Sequence, residues 1–186
     1  MANAKLNDAE LAGRALEAFR TYGFEGTSLN RLAEATGLEK ASLYYRFPGG
    51  KDEIAMAAAG HVAAWFERNI FIPLKGGGTP ERRIRSVVHN LREFYGDGTK
   101  PCVLDTLSLR GGSSQLSNAL RSALEQWLSA FAAVAVECGL RPDKAKLRAE
   151  QAIGNIEGSL VLARVLGDSK PFLRSLAELG SLLRQP

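Results

Sequence analysis

The sequence predicts an all-α protein. It has a front module of three short helices, a fourth helix leading away from it, and further helices to a total of about nine. Three observations carry this. No stretch alternates apolar and polar residues in the manner of a half-buried strand. Apolar residues instead recur three and four apart, as one face of a 3.6-residue helix requires. Clusters of glycine and proline separate these segments at 48–50, 76–80, 96–101, 111–112 and 139–142.

The first helix starts at Asn7, with Glu10 placed for a capping box. Leu11, Ala15, Phe19 and Tyr22 recur along it until Gly23 stops it. Thr27 or Ser28 caps a short second helix that turns Leu29, Leu32 and Ala33 inward and ends at Gly37. A third covers Glu39–Phe47 and is ended by Pro48-Gly49-Gly50. The fourth opens at Lys51-Asp52-Glu53 and runs to about Ile70, after which "PLKGGGTP" reads as a flexible connector. Ile84, Val87, Val88, Leu91 and Phe94 mark the next helix. The short apolar segment "CVLDTLSL" follows and ends at Gly111-Gly112. Long helices are expected over about 114–138 and 143–166, and a last one over 171–184.

Within the front module, "SLNRLAEATGLEKASLYYRF" has the form of a helix-turn-helix spanning about 28–47. Gly37 suits a left-handed position at the turn, and Ala33 is small enough to let the helices approach. On the third helix Leu43 and Phe47, four apart, share the core side. Ala41, Ser42 and Tyr45 then point away from it, with Tyr44 and Arg46 on the flanks and Lys40 at the edge. A helix this short needs bracing by its neighbours. Its outward small, hydroxyl and aromatic residues suit the DNA major groove, which admits one helix. Flanking cations and hydroxyls suit phosphates, which set register.

From "AELAGRALEAFRTYGFEGTSLNRLAEATGLEKASLYYRFPGGKDEI" the segment from about residue 8 to residue 66 resembles the DNA-binding domain of TetR-family transcriptional regulators. The matching residues include Ala15, Phe19, Gly23, Phe24, Thr27-Ser28, Leu32-Ala33, Gly37-Leu38, Leu43-Tyr44, Phe47 and Lys51. The resemblance implies residues 1–50 as the DNA-binding domain and 51–186 as a helical regulatory and dimerisation domain. It implies phosphate contacts for Thr27, Ser28, Tyr44 and Lys51, and base reading by Lys40, Ala41, Ser42 and Tyr45. Arg46 stands where many members have histidine, and is expected to meet phosphate or guanine. "FPGGK" at 47–51, and "CVLDTLSL" followed by two glycines, are similar to a subgroup that includes regulators of multidrug-resistance genes.

The resemblance also implies a homodimer on a palindromic double-stranded operator, formed through the last two long helices. Gly154, Gly158, Val161, Leu162, Leu176, Leu179 and Leu183 are candidate interface residues, with Ile156, Leu160 and Ala163 beside them. A pocket for a small apolar or aromatic effector is expected among His61, Trp65, Phe66, Phe94, Cys102, Trp127, Phe131 and Asn155. Aromatic residues at helical spacing also serve as plain core.

Net charge is +4, with an isoelectric point near 9.2. Yet residues 1–52 hold seven basic and seven acidic side chains, so DNA binding here must rest on local geometry. Cys102 and Cys138, the two cysteines, are too far apart in sequence for metal-ligand spacing and are expected to be reduced thiols. No leader pattern or membrane span is evident, and the cytoplasm is the expected location. No metal set or Ser/His/Asp arrangement suggests an enzyme, and "KGGGTP" lacks the Gly-Lys-Ser/Thr of a phosphate loop, so no cofactor is expected. The reading is a ligand-responsive dimeric DNA-binding regulator, most simply a repressor. The alternative is a DNA-binding dimer without a small-molecule effector that answers to a protein partner.

Overall fold

The computed structural model describes residues 7–108 and 112–184. Among these residues it contains helices and no strand. The helices are α1 (Asp8–Gly26), α2 (Leu29–Thr36), α3 (Lys40–Arg46), α4 (Gly50–Phe66), α5 (Ile72–Lys75), α6 (Pro80–Phe94), α7 (Val103–Ser108), α8 (Ser114–Glu137), α9 (Pro142–Leu166) and α10 (Lys170–Leu182). The expected stop at Gly111 lies outside the described residues. The described residues form two compact units, one of 7–64 with 103–108 and 112–121, the other of 65–102 with 122–184.

In the first unit, α1 begins with the expected capping box. The Asn7 side chain accepts from Glu10 N–H at 2.8 Å, and Glu10 accepts from Asn7 N–H at 3.2 Å. Gly23 breaks the helical backbone (φ 69, ψ 173), where the sequence places the stop. Leu11, Ala15, Phe19 and Phe24 are buried, with Phe19 and Phe24 stacked at 6.0 Å. This core receives Leu32 and Leu43 from α2 and α3, and α1 packs on both α2 and α7. Tyr22, expected on the inward stripe of α1, is 47% exposed. It lies in the last turn before the Gly23 break and faces Arg31, not the core.

The second unit holds an aromatic cluster. Trp65 lies 4.3 Å from Phe94, Phe66 lies 5.1 Å from Trp127, and Phe131 and Tyr95 extend the chain of rings to Phe172. α10 packs on α9 and α6. One boundary differs from expectation: helix continues beyond Ile70 to Lys75, through a π-helical turn at Glu67–Phe71. Pro73 lacks an N–H, so it has nothing to donate to its α-helical acceptor, the Asn69 carbonyl. The turn widens there, and the Asn90 side chain on α6 donates to that carbonyl at 2.7 Å. Asn69 in turn donates through its own amide to Trp65 O at 2.9 Å.

Candidate nucleic-acid interface

The geometry of the front helices follows from the α2–α3 turn. Gly37 sits at φ 71, ψ 19, a left-handed conformation that costs glycine no side-chain clash. Gly37 N–H donates to Glu34 O at 3.3 Å and Leu38 N–H to Ala33 O at 3.2 Å. This Schellman arrangement satisfies the last carbonyls of α2 and redirects the chain into α3.

α3 is held from beneath by Leu43, which is 1% exposed, while Phe47 is half-buried. Tyr45 is 87% exposed and Tyr44 52% exposed, so the two adjacent tyrosines are separated as the helical angle demands. Lys40, Ala41 and Ser42 are exposed on the same helix. Arg46 is partly buried, with Nη1 3.7 Å from the Asp8 carboxylate. α3 therefore offers a small, hydroxyl-bearing and aromatic surface on a braced helix. At Pro48-Gly49-Gly50 the chain turns into α4. Gly50 has φ 67, and Glu53 accepts from Gly49 N–H at 2.8 Å, which caps the start of α4.

The expected phosphate contacts divide. Ser28 is exposed and caps α2 by accepting from Arg31 N–H at 3.3 Å, which leaves its hydroxyl proton available. Thr27 is fully buried. Its hydroxyl donates to Gly23 O at 2.5 Å and its N–H to Phe24 O at 3.3 Å. The expectation that Thr27 offers donors to phosphate is corrected: both are spent holding the α1–α2 turn. Lys51 Nζ donates to Phe24 O at 3.0 Å and stands 4.4 Å from the centre of the Phe24 ring. Arg31, which the sequence reading did not single out, donates through Nη1 to Gly26 O and lies 4.1 Å over the Tyr22 ring. Its only sequence signal was a basic residue three after the cap, beside an aromatic at the end of α1.

The expected effector residues also divide. Trp65, Phe66, Phe94, Trp127 and Phe131 come together as the aromatic cluster, and the Tyr95 hydroxyl donates to Cys102 Sγ at 3.8 Å. His61 belongs to the first unit, where a Cβ at Gly13 would lie 3.6 Å from its Nε2. Asn155 is exposed on α9 and is not part of the cluster. The Trp127 Nε1–H is buried with no hydrogen-bond partner among the described residues.

On α9, Val161, Leu162, Val165 and Leu166 are exposed, and Gly154 and Gly158 open onto space within 4 Å. Leu176, Leu179 and Leu183, with Ile156, Leu160 and Ala163, are instead buried inside the chain. Their place as partner-facing residues is corrected, because the packing of α10 on α9 and α6 already covers them.

A braced, outward α3 behind a tight turn, with a capped α2 before it, defines a helix-turn-helix DNA-binding regulator. Residues 13–58 match the model for bacterial regulatory proteins of the tetR family, and residues 80–178 match that for the LmrA/YxaF-like C-terminal domain of transcriptional regulators. The chain belongs to the TetR family of transcriptional regulators, in its LmrA/YxaF-like branch.

The chain is 25% identical to the HTH-type transcriptional regulator LmrA of Bacillus subtilis, over 95% of its own length and 96% of LmrA. Its fold is similar to a TetR transcriptional regulator from Legionella pneumophila, with TM-score 0.83 and 18% identity over 96% of this chain and 98% of that one. It is also similar to a cysteine mutant of the TetR-family regulator CifR, solved with a 26-bp double-stranded operator. There the TM-score is 0.74 and identity 23%, over 100% and 99% of the two chains. Among the described residues no helix is long and apolar enough to cross a membrane.

Proposed function

We propose that the protein is a homodimeric repressor released from a palindromic operator by a small molecule. Residues 1–50 read DNA, and residues 51–186 carry dimerisation and the response to the effector. The observation that carries this reading is α3 itself. Tyr45 projects almost fully into solvent while Leu43, two residues earlier, is sealed in the core. A single exposed aromatic is ordinary, but an exposed stripe on a braced helix in this module is suited to base edges. Tyr45, Ser42 and Ala41 meet bases, and Ser28, Tyr44 and Lys51 meet phosphates. Arg46 reaches phosphate by leaving Asp8, a long 3.7 Å pair with an exposed carboxylate that is worth little to stability.

The α9 surface supports the dimer. Val165 and Leu166 are 75% and 65% exposed, an apolar face that a second copy would cover. The two glycines beside it let another helix approach closely. The unpaired Trp127 N–H supports the effector. Leaving a buried donor unsatisfied costs about 1–3 kcal/mol, and a ligand carrying an acceptor and an apolar or aromatic body removes that cost. The effector must favour the non-DNA state, since equal binding to both states shifts nothing.

A second reading, a dimer without a small-molecule effector, is favoured by the close ring packing, with Trp65 and Phe94 only 4.3 Å apart. The test of the main reading is selection of bound fragments from the source genome. It predicts a palindrome with half-site centres about 34–36 Å apart and affinity that falls steeply with salt. Recovery of fragments with no shared sequence refutes it.

A further inference from the structure

We infer that Arg31 is a phosphate-holding residue of the DNA interface and that Tyr22 is its positioning residue, an inference that rests on the DNA-binding reading of α2 and α3. Two cations are held in the same way on the segment that leads into α2. Lys51 donates to Phe24 O and lies over the Phe24 ring; Arg31 donates to Gly26 O and lies over the Tyr22 ring. Both therefore rest on carbonyls of one three-residue segment and on aromatic rings from the end of α1.

Neither cation pairs with a carboxylate among the described residues. The contrast within the module is informative. Arg20 pairs with Glu17 at 2.8 Å, and Arg46 approaches Asp8 at 3.7 Å. In a segment whose formal charges cancel, Arg31 and Lys51 are fixed on the carbonyls of Gly26 and Phe24, in the stretch that leads into the exposed Ser28 and the N-terminus of an eight-residue helix. Positive partial charge from that helix end adds to theirs. No carboxylate among the described residues pairs with either cation, and the group that completes the arrangement is a backbone phosphate.

The way Arg31 is held sets its use. Gly26 O engages Nη1, and the Tyr22 ring covers one face of the guanidinium. The edge formed by Nε and Nη2 makes no bond among the described residues. That edge is a two-donor fork matched to phosphate oxygens. The stack fixes a side chain that is otherwise flexible, so less freedom is lost when phosphate arrives. Tyr22 does this through its ring, and its hydroxyl is not required.

Fluorescence anisotropy with a mixed-sequence 30-bp duplex, across a salt series, tests the assignment. Arg31→Ala is expected to weaken binding roughly tenfold and to lower the slope of log K against log salt by about one. Tyr22→Phe is expected to match the wild type. Tyr22→Leu is expected to weaken binding and lower the slope by less than Arg31→Ala does. Arg31→Gln guards against a folding defect, because it keeps a donor for Gly26 O and must still lower the slope. Wild-type affinity and slope in both Arg31 variants overturn the inference while leaving DNA binding in place. A wild-type chain with no affinity for the duplex overturns both.

Discussion

The side-chain amide of Asn90 donates to the main-chain carbonyl of Asn69 at 2.7 Å, at the acceptor that Pro73 cannot serve. This bond stabilises the π-helical turn at Glu67–Phe71, which separates α4 from α5. Asn90→Ala is expected to cost about 1 kcal/mol, the loss of one hydrogen bond to a part-buried carbonyl. Urea denaturation measures it. In the background Pro73→Ala, which restores an N–H, the same substitution is expected to cost less. An equal cost in both backgrounds would separate Asn90 from the proline.

That turn also marks a limit of the sequence. Pro73 followed by Lys75 and three glycines reads as a connector, because proline usually ends a helix. What rescues this one is an asparagine 17 residues away on α6, and no local pattern announces it. The capping box at Asn7, the αL turn at Gly37 and the separation of Tyr44 from Tyr45 were legible, since each follows from spacing within a single helix or turn. Thr27 was not. Its position before α2 is compatible with an outward or an inward hydroxyl, and the kink at Gly23 decides for inward. On α9, apolar residues lie on both sides of the helix, so periodicity alone did not separate Leu160, which is buried, from Leu162, which is exposed.

The exposed α9 face gives a direct test of dimerisation. Leu162→Glu combined with Val165→Glu is expected to yield monomers by light scattering. Both positions are exposed in the single chain, so its fold should tolerate the charges. Operator affinity should fall with dimerisation, because one reading helix then binds alone. A variant that stays dimeric would move the interface elsewhere.

Cys138 is expected to be a poor nucleophile at neutral pH. Burial pushes its thiol above the usual range, and the Glu81 and Glu137 carboxylates push it further in the same direction. The thiolate is the reactive form, so alkylation should be slower than that of a free thiol and should rise only as pH climbs past the ordinary cysteine range. Iodoacetamide labelling followed by mass spectrometry, from pH 7 to pH 10, checks this. Fast labelling at pH 7 would contradict the assigned environment.

The most direct test of the central claim, that the outward face of α3 reads bases, compares wild type, Tyr45→Ala and Tyr44→Phe on a selected palindrome and on its single-base variants. Tyr45→Ala is expected to flatten discrimination at one position in each half-site, by about 1–3 kcal/mol, while affinity for unrelated duplex changes little. Tyr44→Phe is expected to weaken every sequence alike, through loss of one phosphate bond. Equal, sequence-independent losses in both variants, or unchanged discrimination in Tyr45→Ala, would contradict the account.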